Sequence, residues 1–335
     1  MLQRPTTFVI GAGASRDFGF PVGATLAAEI AEAFNINFEH RRLLTGSLPI
    51  YEALKRAIDG LSNQSAFDLS HRIRKGLVHY DSIDDFVEAA NDDDVATAAK
   101  IAIFQIIGKA EHGSALAGLG TRESSKSVES LRASWPAQLL RLALRGVRHS
   151  DITSLFESIS VVSFNYDRAL EHYLFWALRD LGFTDEVAAQ AMSSLEVLHP
   201  YGTLGQLPWQ TSGPEAVPFG VERVDLASHY NLIRTYSEQL DDRRELRKIE
   251  GAVRDAETVV FLGFGFHKQN VDLLAGSMTN EEPTTVFATA YWVSNSQRRA
   301  FEARIRSAIH RQATVYMDDA TCDDFFSRHG QEIAL

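Results

Sequence analysis

The sequence predicts an α/β protein with a Rossmann-like, doubly wound parallel sheet and a helical insertion domain. Three observations carry this expectation: a short strand running into a glycine turn near the N-terminus, a series of buried-strand patterns alternating with helical ones in the second half, and a long stretch of helical periodicity between them. Residues 6–11 (TTFVIG) are β-branched and aromatic and end in glycine, the pattern of a short buried strand. Residues 23–34 (GATLAAEIAEAF) follow with helical spacing through Leu26, Ile30 and Phe34. Strand, glycine turn and helix together open a doubly wound domain. Strand patterns resume at 159–164 (ISVVSF), 195–199 (LEVLH), 257–262 (ETVVFL), 284–290 (TTVFATA) and 313–317 (ATVYM). Helical patterns fill the gaps, including 168–180 and 294–309, the latter opened by Ser294 and Gln297 at capping-box spacing.

Between about 36 and 150 the helical period dominates, as in 95–110 (VATAAKIAIFQIIGKA) and 135–147 (WPAQLLRLALRGV). This divides the chain into a Rossmann domain of residues 1–35 and 151–335 and a helical insertion of residues 36–150. Residues 112–130, rich in Gly and Ser, are expected to form a mobile loop, either one that helps gate the site or an ordinary surface linker between two helices. The chain contains no internal repeat.

Composition narrows the function classes. A chain of 335 residues, 45% of them hydrophobic, builds one large or two modest domains. No apolar run approaches the roughly 20 residues that span a bilayer, so no membrane attachment is expected. The N-terminal apolar stretch runs straight into a glycine turn and reads as a buried strand rather than a signal peptide. Cys322 is the single cysteine, so neither an intrachain disulfide nor a cysteine zinc cluster can form, and a cytoplasmic protein is the simplest reading. A net charge of −11 argues against nucleic-acid binding through a broad basic surface, though a small basic pocket for a phosphate is compatible with it.

Four segments carry candidate chemistry, each directly after a strand pattern, where open α/β sheets bind ligands. Gly11-Ala12-Gly13-Ala14-Ser15 lets the backbone approach a pyrophosphate, with a helix N-terminus expected behind it. Arg16 stands where a third glycine of GxGxxG would be, and the same glycines serve a tight turn with no ligand. Ser163-Phe164-Asn165-Tyr166-Asp167 places Asn165 and Asp167 at a ligand edge. On the other reading Asn165 is a turn residue and Asp167 the N-cap of the following helix. His199 ends a strand before Pro200 and Gly202, in loop context, with an ordinary pKa of about 6.5 suited to proton transfer; a lone histidine is more often structural. Gly263-Phe264-Gly265 is a second glycine turn, suited to a phosphate or ribose and equally to a plain turn.

Taken in order, these segments resemble the signature of sirtuins and sirtuin-like NAD hydrolases. GAGASRDFGFP is similar to their GAG-x-S…G-[IL]-P element, SFNYD to their Thr-Gln-Asn-x-Asp segment, His199 to the histidine of their His-Gly pair, and FLGFGF to their late Gly-[YF]-Gly turn. SIDDF (82–86) and GKAE (108–111) resemble the helical insertion of the bacterial, defence-associated branch. The chain departs from the deacylases in four places. It lacks the four-cysteine zinc module, Val22-Gly23-Ala24 replaces Asp-Phe-Arg, Phe164 replaces the glutamine, and Pro200-Tyr201 separates His199 from Gly202.

The resemblance implies an NAD glycohydrolase that yields ADP-ribose and nicotinamide, acting in antiviral defence by NAD depletion, with NAD as substrate and no metal. It implies catalytic roles for Asn165, which would hold a ribose hydroxyl and position water, for His199 as proton acceptor, and for Asp167 on the nicotinamide carboxamide. NAD-binding roles pass to Gly11, Ala12, Gly13, Ser15, Pro21, Ser163, Gly263, Phe264 and Gly265. A non-catalytic NAD or nucleotide sensor is the alternative, and a zinc-independent protein deacylase a further one. Control of a toxic activity implies assembly or an ATPase or sensor partner; a long helical insertion rich in Ile, Leu and Phe suits a homo-oligomer built largely on it, or a lid packed on its own domain.

Overall fold

The central strands of the main sheet are runs of β-branched and aromatic residues with almost no exposed position, as a parallel sheet covered by helices on both faces requires. The computed structural model describes residues 4–40, 42–80, 82–121, 127–213, 216–275, 284–310 and 312–334. Its strands are β1 (Thr6–Ile10), β2 (Asn37–Glu39), β3 (Arg42–Thr45), β4 (Ile159–Ser163), β5 (Glu196–Leu198), β6 (Thr258–Leu262), β7 (Thr285–Thr289) and β8 (Thr314–Asp318). Six of them form one sheet in the order β5-β4-β1-β6-β7-β8, every neighbouring pair parallel. Counted along the chain this is the order 3-2-1-4-5-6 of a doubly wound Rossmann sheet, whose winding reverses between β1 and β6. The α/β, doubly wound expectation is therefore met. β2 and β3 form a separate antiparallel hairpin.

The chain forms two compact units. The first comprises Met1–Phe18, Gly118–Pro200 and Asp242–Leu335, and holds the six-stranded sheet. Successive strand residues point to opposite faces, and β1 shows both coverings. Thr7 Oγ1 donates to the Ala252 carbonyl (2.6 Å), in helix Arg243–Arg254. Phe8 stacks on Phe326 (6.0 Å between ring centres), in helix Cys322–Ile333. Helix Trp135–Leu144 lies against that second helix. Trp135 stacks on Phe326 and its backbone N–H donates to Asp323 Oδ1 (2.6 Å), while burial pushes the Asp323 carboxyl up. The expected Ser294–Gln297 capping box is present and opens helix Asn295–Ala308.

The second unit comprises Gly19–Ala117 and Tyr201–Asp241 and is mainly helical. At its centre, helix Asp93–Gly113 is capped by Asp92, whose side chain accepts from the Asp94 and Val95 amides. It carries buried residues around its circumference, Val95, Ala99, Ile103 and Ile107 among them, the pattern of a helix enclosed by others. Lys100 on this helix is 6% exposed and ion-paired with Glu238. Burial pushes the Glu238 carboxyl up, but the hydrogen bond and charge of Lys100 outweigh it and hold it below the usual range.

The unit boundaries differ from those read in the sequence. Helix Gly23–Ala33 belongs to the second unit, residues 118–150 to the first, and residues 201–241 form a second contribution to the helical unit. A 3.6-residue period marks a buried face but not the core that buries it. Within 112–130, Leu116 and Leu119 are buried and Ser127 caps the turn Val128–Leu131; the rest of the expected mobile loop, residues 122–126, lies outside the described residues. No helix among the described residues is long and apolar enough to cross a membrane.

Candidate functional site

All four candidate segments of the first unit follow carboxyl ends of sheet strands: Gly11–Ser15 after β1, Asn165–Asp167 after β4, His199 after β5 and Gly263–Gly265 after β6. The two glycine turns therefore flank the point where the winding reverses, the place where such sheets bind ligands. Pro21 is part of the second unit, where it is half-buried.

The glycine turns pack backbone against backbone. Gly11 N–H donates to the Leu262 carbonyl (2.9 Å) and Gly13 N–H to the Gly263 carbonyl (3.0 Å). A Cβ on Gly11 or Gly13 would stand 2.7 or 2.8 Å from Gly263 backbone atoms, and one on Gly263 would stand 2.1 Å from the Ala14 nitrogen. Gly263 also has a left-handed backbone (φ +57°) and donates its N–H to Thr289 Oγ1 (2.8 Å) at the end of β7. These glycines thus have a steric use of their own, close approach of two turns. The amides of Ala14 and Ser15 turn inward as well, to Gly11 and Ala12 carbonyls, and Trp135 Nε1 donates to the Ala14 carbonyl (2.7 Å). The sequence pattern places the next helix at 23–34, with its N-terminus expected to face this turn. The helix does begin at Gly23, but as part of the second unit, and the turn itself is built of two short 3-10 segments, Ala12–Ala14 and Arg16–Phe18. Seven residues of chain, 16–22, separate the helix from Ser15.

This geometry separates two otherwise similar glycines. Gly263→Ala should destabilise the protein by about 3 kcal/mol, combining left-handed strain with overpacking. Gly265→Ala should cost under about 1 kcal/mol, since its Cβ would meet only the exposed, movable His267 ring. Thermal unfolding of both variants checks this; equal melting temperatures would contradict the packing described.

Asn165 is 5% exposed, and its Nδ2 donates to the buried Ser15 Oγ (3.0 Å), so the turns after β1 and β4 are tied together. Ser163 Oγ accepts the Asn165 N–H (3.4 Å). Asn165 Oδ1 meets no donor among the described residues although it is buried. Buried polar atoms are nearly always satisfied, so this acceptor asks for a donor from a ligand or water. Phe164 packs edge-on against Phe264 (5.2 Å), joining the β4 and β6 turns through apolar contact. Asp167 Oδ1 accepts the Ala169 N–H (3.0 Å) at the head of helix Ala169–Asp180, one residue before the formal N-cap, Arg168. The helix-opening role is thus occupied by one oxygen of Asp167.

His199 is held at both ring nitrogens. Nδ1 lies 3.2 Å from the Asn165 carbonyl and Nε2 lies 2.9 Å from Glu171 Oε1. Both partners are acceptors, which suits the doubly protonated ring. Burial disfavours that charge, but the Glu171 carboxylate, the Asn165 carbonyl and the charge of Asp167 outweigh it and hold His199 above its ordinary pKa. Glu171 is not among the sequence-derived candidates. Its only local signal is an acidic residue in the first turn of a helix after a strand-end motif. Trp135 and Thr289, which fix the two glycine turns, carry no local signal at all.

Among the described residues no group of three or more His, Cys, Asp or Glu side chains is placed to hold a metal ion. No protein-family model matches the chain, and no curated protein matches it.

Proposed function

We propose that this protein cleaves the nicotinamide–ribose bond of NAD and passes the ribosyl group to water, giving nicotinamide and ADP-ribose. The observation that carries the reading is Asn165 Oδ1, a buried acceptor with no donor among the described residues, beside His199 at the carboxyl edge of a Rossmann sheet. In the reaction the C1′–N bond breaks with its electron pair leaving on nicotinamide. The water oxygen bonds to C1′, and water gives up a proton. Asn165 Oδ1 accepts from a ribose hydroxyl or from that water, with Ser15 fixing the amide. His199, in its neutral form, accepts the proton. The buried carboxylates Asp167 and Glu171 favour the positive charge that builds on the ribose. Asp167, at the head of the helix after β4, is the residue that contacts the carboxamide. The pyrophosphate falls to the reversal point between β1 and β6, where the inward-turned amides leave fewer donors than an open phosphate loop offers. NAD depletion in antiviral defence, with control by self-association or a partner, is the biological role that goes with this activity.

One observation favours a second reading, nucleotide sensing without turnover: both His199 nitrogens are engaged, so the ring is a base only where it gives up the proton shared with Glu171. Calorimetry with NAD combined with nicotinamide assay separates the two. A parallel assay with an acylated peptide tests the acceptor. Release independent of peptide is expected; release that requires peptide would assign deacylase chemistry instead.

A further inference from the structure

Trp292 is the most exposed large apolar residue of the described chain, at 86%, and its backbone is left-handed (φ +60°). A bulky residue seldom adopts that conformation, and such strain persists only where surroundings enforce it. Here they do. Trp292 N–H donates to Asp319 Oδ1 (3.0 Å), and Val293 N–H closes the turn on the Ala290 carbonyl (3.1 Å). Arg298 then straps the turn from below, bonding the Val293 carbonyl (3.0 Å), the Ala290 carbonyl (3.3 Å) and Asp319 Oδ2 (3.1 Å). The indole is thus held out in water on a turn fixed by four hydrogen bonds and an ion pair, which is an arrangement for presenting a flat apolar face rather than burying one.

The location says what would cover it. The turn leaves the carboxyl end of β7, three residues after Thr289, which holds the Gly263 amide. His199 follows β5, Asn165 follows β4, the glycine turns follow β1 and β6, and Trp292 follows β7, in that spatial order along the carboxyl edge of the sheet. A dinucleotide whose reacting riboside lies over β4 and β5, with its pyrophosphate over the reversal point, carries its second nucleoside toward β6 and β7. We infer that Trp292 is the stacking platform for the adenine of NAD, and so sets preference for dinucleotide over mononucleotide. This rests on the NAD reading above. Stacking on an aromatic face suits a purine and needs no base-specific hydrogen bond.

The test compares wild type, Trp292→Ala and Trp292→Phe. It uses NAD and nicotinamide mononucleotide as substrates, and adenosine monophosphate as a probe in calorimetry. Trp292→Ala is expected to raise KM for NAD and weaken adenosine monophosphate binding by on the order of tenfold, to leave nicotinamide mononucleotide cleavage unchanged, and to be largely rescued by Trp292→Phe. Unchanged KM and affinity in Trp292→Ala, with nicotinamide still released, overturn the platform and leave the hydrolase reading standing. Adenosine monophosphate binding that depends on Trp292, without any nicotinamide release, supports the platform and removes the hydrolase reading. No binding of either nucleotide to wild type overturns both. A change in light scattering on Trp292→Ala with nucleotide affinity intact assigns the indole to a protein interface and also overturns the platform.

Discussion

Asn165→Ala should lower nicotinamide release from NAD by at least about a hundredfold, the scale of losing a positioned electrostatic group, while leaving the protein folded. The second half of that expectation follows from the geometry. The truncated oxygen has no donor among the described residues, and the truncated amide loses one hydrogen bond, to Ser15. The stability cost is therefore about 1 kcal/mol, with up to about 3 if Ser15 is left buried and unsatisfied. A circular dichroism melt within a few degrees of wild type, alongside lost turnover, is the expected pair of results. Near-normal turnover in the folded variant would remove Asn165 from the reaction.

The second large effect concerns His199 and its carboxylate partner. Because Glu171 and the Asn165 carbonyl hold His199 above its ordinary pKa of about 6.5, the neutral ring needed to accept a proton forms only above that value. Turnover should therefore rise with pH along a limb that lies above 6.5. Glu171→Gln, which removes the stabilising charge, should move the limb to lower pH. The same shift has a stability consequence of definite sign. A raised folded pKa makes the pair's contribution full below the unfolded value near 6.5 and lost as pH rises through the folded value. His199→Ala should cut turnover at least about a hundredfold but also destabilise by about 3–5 kcal/mol, since it strands the buried Glu171 carboxylate. His199→Ala combined with Glu171→Gln should regain much of that stability and none of the turnover. Full-profile kinetics and melts from pH 5 to 9 check both. A limb that Glu171→Gln leaves in place would show that His199 is not the titrating group.

The sheet was legible because its signals are local. A run such as TTFVI or TVVFL, buried on both faces and stopped by glycine, has few other uses. The capping box at Ser294 is readable from two residues three apart. The unit boundaries were not legible, because helices Gly23–Ala33 and Trp135–Leu144 carry similar periodic faces and serve different cores. The β2–β3 hairpin escaped for another reason: its seven strand residues show no clean alternation, and six of them are exposed. At the site, the sequence marks Asn165, Asp167 and His199 through their place after strands. It does not mark Glu171, which meets His199 only through the packing of a helix on the sheet. Nor does it tell that Gly11, Gly13 and Gly263 are needed by one another, since that contact joins positions some 250 residues apart.

The most direct measurement is the fate of NAD in the presence of the purified wild-type protein, followed by chromatography with calorimetric proof of binding on the same sample. Hydrolysis at the Asn165–His199 site predicts nicotinamide and ADP-ribose in equal amounts, with no acyl acceptor added. NAD that binds and is recovered intact would contradict it and assign the site to sensing.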